Sequence, residues 1–436
     1  MFAKLMQTAL AVTLMLSAPA WAALDIQHWR TPQGTPVYFV ENHDIPMLDV
    51  AVDFAAGSAR DPAGQAGLAA LTQTLLDQGS QSLSERAIAQ GLADVGAVLG
   101  GTFDQDRAGV ALRTLANPAE RDKAFAIFTA VLQSPRFPAA VFLRERTRMI
   151  AALKEAEADP GTLASQAFYR ALYGRHPYAH PESGEPASVA RLERQQVVDF
   201  YRRHYTAGNA VISLIGDLDR KTAEALASRL AAGLPAGPAL PPIAAPRAGQ
   251  PGVTRIAHPS VQSHVLLGQI GIARNDPDFF PLYVGNYVLG GGGFDSRLIE
   301  EVRQKRGYAY SAYSYFMPLA QPGPLQIGLQ TRNEQVDDAL NVARDTVARY
   351  VADGPTDAEL TQAKNNLVGG FPLRIDSNKK ILDYLRVIGF YQLPLDYLDV
   401  WTTKVEAVTR EQIAAAFRKH VDPAGISVII VGGQGR

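Results

Sequence analysis

Gly64-Gln-Ala-Gly-Leu-Ala-Ala70-Leu-Thr-Gln73-Thr74-Leu-Leu-Asp-Gln-Gly79-Ser80 is the stretch on which the reading of this chain turns. Leu68, Leu71, Leu75 and Leu76 recur at helical spacing, and Gly79 stands where a C-terminal cap belongs. The spacing predicts a helix with Ala70, Gln73 and Thr74 at i, i+3 and i+4, hence on one face. A methyl, an amide and a hydroxyl make an ordinary helix face. What lies around the stretch gives it meaning.

The chain has 436 residues, 47% apolar and 19% charged, with a formal net charge of −1. That describes a globular protein of two or more domains, and the charge argues against nucleic acid as a partner. There are no cysteines, which excludes disulfides, thiolate nucleophiles and cysteine-bound zinc. Lys4, the apolar run Ala9–Leu16 and Ala18-Pro-Ala20-Trp-Ala22 form a charged start, a short apolar core and an Ala-x-Ala cleavage signal. Residues 1–22 therefore read as a secretory signal peptide, with a periplasmic mature protein from Ala23 and no stable membrane span.

Outward from the helix, residues 236–252 are rich in Pro, Gly and Ala and read as an extended linker. It separates an N-terminal half, 23–235, from a C-terminal half, 253–436. The halves look like copies. Gln196/Gln412, His204/His420 and Gly216/Gly432 share one offset across a basic-ended helix and the apolar strand after it. Met47–Phe54 alternates like a half-buried strand, and 264–272 is strand-like. Helical periodicity runs through 119–131, 142–157 and 335–351. This mixture predicts an α+β fold of two duplicated halves, each a sheet packed with helices.

With the helix stretch, three further segments carry a resemblance: Gly57-Ser-Ala-Arg-Asp-Pro62, His176-Pro-Tyr178, and Asp295-Ser-Arg-Leu-Ile-Glu-Glu-Val-Arg-Gln-Lys-Arg-Gly-Tyr-Ala-Tyr-Ser311. Together they resemble the superfamily of pitrilysin, insulin-degrading enzyme and mitochondrial processing peptidase over nearly the whole mature chain. The resemblance implies His-x-x-Glu-His on the metal helix, where two imidazoles hold zinc and a carboxylate activates water. Here Ala70, Gln73 and Thr74 stand in those places. It also implies a third ligand on a later helix before an Asp-Pro pair. Counting back from Asp159-Pro160 gives Ala151 or Ala152. Zinc takes imidazole, thiolate or carboxylate, so no metal and no catalytic residue is expected in this chain.

The resemblance further implies a substrate-binding Arg and Tyr seven residues apart in the C-terminal half, met here by Arg303 and Tyr310. Locally, Asp295 or Ser296 caps a helix through Leu298, Ile299 and Val302 that Gly307 ends, before a strand over Tyr308–Phe316. Guanidinium and phenol both donate to carbonyl oxygens and suit an oxyanion. The alternative is an arginine tied to a carboxylate such as Glu300, with Tyr310 packed in an aromatic sheet. Gly290-Gly-Gly-Gly293 lacks the residues of a phosphate loop and reads as a flexible loop. His176 and His180 have ligand spacing, but Pro177 and Pro181 predict a turn.

The expected function is a non-catalytic, substrate-binding subunit of a heteromeric zinc endopeptidase acting on peptide or unfolded protein. Its partner would be a homologous His-x-x-Glu-His subunit that supplies the zinc. The alternative is a structural or assembly scaffold of the same fold.

Overall fold

The computed structural model describes residues 24–433; the segment read as an export signal lies outside them. The first half supplies β1 (Gln27–Arg30), β2 (Pro36–Glu41), β3 (Met47–Phe54), β4 (Val98–Phe103), β5 (Ala108–Leu115) and β6 (Ala210–Gly216). They hydrogen-bond in the order β1-β2-β6-β3-β5-β4. The second half supplies β7 (Val253–Ile256), β8 (Gln262–Ile270), β9 (Ala309–Phe316), β10 (Pro324–Arg332) and β11 (Ser427–Val431), in the order β7-β11-β8-β10-β9. Without β1 the two orders coincide, and β2/β6 and β7/β11 are the corresponding parallel pairs in otherwise antiparallel sheets. The duplication seen as an offset in sequence is a duplication of topology.

Each half also covers the other's sheet. The Asn378–Phe390 helix of the second half lies across β6, β3 and β2, and the Pro160–Tyr173 helix of the first lies across β8 and β11. Both crossings are close. A Cβ added to Gly389 would come 2.8 Å from the Tyr38 ring, and one added to Gly268 2.7 Å from Phe168. This exchange explains a departure from the sequence reading. β3 alternates like a strand with a wet face, yet Asp49 and Asp53 are buried. Asp49 accepts from Arg113 at 2.7 and 3.1 Å. Asp53 accepts from Arg386 of the exchanged helix at 2.8 and 2.7 Å. Charges leave water here because each has a bidentate partner.

Residues 236–252 carry no helix or strand and lie along the first half. Arg60 donates to the Pro241 carbonyl at 2.9 Å, and the Gly249 N–H to that of Leu172 at 3.4 Å. Among the described residues no helix is long and apolar enough to cross a membrane.

Candidate functional site

The helix that opened the sequence reading runs Leu68–Leu75. Asp61 holds its start, accepting from the Gly67 and Ala69 N–H groups at 2.7 Å each. Burial pushes the Asp61 carboxyl up to about 7, against the pull of those two bonds. The helix stops earlier than the sequence reading placed it. Leu76 takes the C-cap position, and Gly79, with φ +129°, turns the chain after an intervening turn.

Ala70, Gln73 and Thr74 share a face, and that face is bonded to itself and its surroundings. The Gln73 amide donates to the Gly109 carbonyl at 2.8 Å, and its oxygen accepts from the buried Tyr205 hydroxyl at 3.0 Å. Thr74 donates to the Ala70 carbonyl at 3.0 Å. Beside them lies a cavity of about 160 Å³ bordered by Gly100 and Gly101. Ala151 and Ala152 are exposed methyl groups on the Ala139–Ala156 helix. Two methyl positions, an amide with both ends engaged and a hydroxyl do not fit a zinc ion.

Arg303 and Tyr310 present the opposite case. The helix carrying Arg303 contains a π-helical turn, Ile299–Gln304, and ends at Gly307 in the left-handed region. Ser296 stands at its start, but its hydroxyl donates to the Gly293 carbonyl at 2.7 Å instead of capping the helix. Glu300 pairs with Lys305 at 2.9 Å, while Glu301 pairs with Lys305 and Arg306, both at 2.8 Å. These bonds, Lys305 first, hold the Glu301 carboxyl down to about 2. The local carboxylates are thus taken by other cations. Among the described residues the Arg303 side chain makes no ion pair and no hydrogen bond; its carbonyl accepts from the Gly307 N–H at 2.8 Å. Its guanidinium carbon lies 4.7 Å from the Phe294 ring centre and 4.5 Å from that of Tyr310. Tyr310, on edge strand β9, is 79% exposed and so is not packed in an aromatic sheet.

The glycine run ahead of this helix is not a loop throughout. Tyr287–Gly291 is a π-helical turn, and a Cβ on Gly290 would sit 2.4 Å from the Ser314 hydroxyl. His176 stands before the turn Pro177–Ala179; its Nδ1 accepts from the Tyr178 N–H at 3.1 Å and its Nε2 donates to the Ala244 carbonyl at 2.8 Å. Both ring nitrogens are engaged.

Two groupings had no signal in the sequence, because each draws together segments far apart along it. Asp106 accepts from Tyr178 at 2.5 Å, Tyr391 at 3.0 Å and the Ala320 N–H at 2.7 Å, joining the halves. Burial raises its pKa. Asp276, Asp278 and His420 bring ligand atoms within 4.8 Å of one another, but Lys419 reaches Asp278 at 2.6 Å and already supplies a positive charge.

Comparison with known proteins gives the family. Residues 37–184 match the family described as insulinase (peptidase family M16), and residues 191–367 match the peptidase M16 inactive domain. A crystal structure of a peptidase M16 inactive domain from Pseudomonas fluorescens superimposes with a TM-score of 0.91 at 40% identity, covering 94% of this chain and 98% of that one. The chain belongs to peptidase family M16. It is 26% identical to the non-peptidase homolog YmxG of Helicobacter pylori over 98% of its own length and 97% of that protein's. An uncharacterized zinc protease of Mycobacterium leprae is 30% identical, over 80% of this chain and 78% of that one. With its metal face replaced, this chain is a non-catalytic member of the family.

Proposed function

We propose that this chain is the substrate-binding subunit of a heteromeric zinc endopeptidase, exported behind its first 22 residues to the periplasm. The observation that carries the reading is the contrast between two places in one molecule. Gln73 is locked into the fold, whereas among the described residues the Arg303 guanidinium has no polar partner and lies beside an exposed Tyr310. An arginine without a carboxylate keeps its donors for an acceptor brought from outside. In this reading Arg303 and Tyr310 donate to the backbone carbonyl of a peptide, and a homologous His-x-x-Glu-His subunit supplies the zinc.

The test is reconstitution with such a subunit from the same genome. A heterodimer should form, with peptidase activity that neither chain shows alone. Arg303→Ala and Tyr310→Phe should leave assembly intact and each lower kcat by roughly the 2.7–4 kcal/mol of a deleted oxyanion donor. Full activity of the partner by itself would overturn the proposal and favour a scaffold.

A further inference from the structure

Phe294 is 65% exposed, and no packing demand accounts for a phenylalanine so far into water. It sits in the turn Gly293–Asp295, nine residues before Arg303. Two features hold it there. Gly293 has φ +62°, a conformation that other residues rarely adopt, and Gln304 donates to the Phe294 carbonyl at 3.0 Å from the helix carrying Arg303. The outcome is a ring 4.7 Å from the Arg303 guanidinium carbon, with the Tyr310 ring at 4.5 Å.

Resting on the substrate-binding reading of Arg303, we propose that Phe294 is a positioning residue for that arginine. Arg303, Phe294 and Tyr310 form a three-residue unit in which two rings restrain the cation. An ion pair would fix a guanidinium by occupying its N–H groups. A ring fixes it through its π face and leaves the donors free. The glycine run thereby acquires a purpose: it carries the chain through the left-handed turn that presents Phe294. The side chain otherwise loses several freely rotating bonds when an acceptor arrives, and restraint beforehand reduces that loss.

Two measurements on the full chain test this. In NMR of arginine-labelled protein, with Arg303 assigned through Arg303→Lys, its δ-methylene protons should be shifted upfield by the rings. The shift should shrink in Phe294→Ala and persist in Phe294→Tyr, with the melting temperature unchanged because the ring is exposed. An Arg303 signal that Phe294→Ala leaves in place overturns the proposal. In the reconstituted assembly, Phe294→Ala should lower kcat about two- to fivefold, the weight of one exposed cation–π contact. It should have no further effect in an Arg303→Ala background. If Arg303→Ala lowers turnover and Phe294→Ala does not, the positioning role fails. If Arg303→Ala is itself silent, or the assembly is inactive, the substrate-site reading fails, and the NMR result still decides whether Phe294 holds the arginine.

Discussion

Removing Arg386 should be among the most damaging single changes to the stability of this chain. Its guanidinium makes two bonds, 2.8 and 2.7 Å, to Asp53, whose side chain is 0% exposed. Among the described residues no other side chain donates to that carboxylate. Arg386→Met therefore leaves a charge in the interior, a loss of about 3–5 kcal/mol for a broken buried pair. Unfolding entropy for a chain of this length is roughly 0.9 kcal/mol per kelvin, so the melting temperature should fall by about 3.3–5.6 °C. Trp29 in the first half and Trp401 in the second allow tryptophan fluorescence in urea to follow both halves. Arg386→Met and Asp53→Ala should each shift the midpoint strongly. The double variant should recover a large part of the loss, because it removes both charges together. Strictly additive losses, or a loss under about 1 kcal/mol for Arg386→Met, would refute the idea that a coupled pair clamps the halves.

The purified chain should retain no stoichiometric zinc after dialysis, since Ala70, Gln73, Thr74 and Ala151 or Ala152 offer no suitable donor set; metal analysis checks this, and tight zinc at that helix would refute it. Stability should also fall in acid through His204. Burial first, with Arg60 and Arg203 nearby, lowers its pKa to about 4, against about 6.5 for an unfolded histidine. The unfolded chain takes up a proton there before the folded one does. Stability is therefore lost as pH falls from about 6.5 to about 4, by at most about 3 kcal/mol. His204→Phe should flatten that part of the stability curve, and parallel curves for variant and parent would refute the assignment.

The strands and helices were legible to the extent that they follow local periodicity. Met47–Phe54 is a strand over those same residues, and helices occupy Pro118–Gln133, Ala139–Ala156 and Val336–Asp353, close to the spans read from sequence. Where the reading erred, longer-range contacts had intervened. Gly79 is a turn beyond the helix end, and Gly290 is pressed against Ser314 in a π-helical turn. The repeated histidines also part company: His204 is buried against Phe200, with ring centres 4.0 Å apart, while His420 pairs with Asp278 at 2.8 Å.

What the sequence determined by itself is the set of groups on the Ala70 helix face, a methyl, an amide and a hydroxyl, because residue identity does not depend on how the chain folds. It also determined the duplication, since one offset spans helix and strand. The tertiary structure decided which polar groups are spoken for. Gln73 is engaged only because β5 and Tyr205 come to it, and Asp53 meets Arg386 across 333 residues. Arg303 is left with its donors because Lys305 and Arg306 take the nearby carboxylates and Phe294 arrives over its face. Such pairings depend on how the halves and loops dock, and local periodicity carries no record of that.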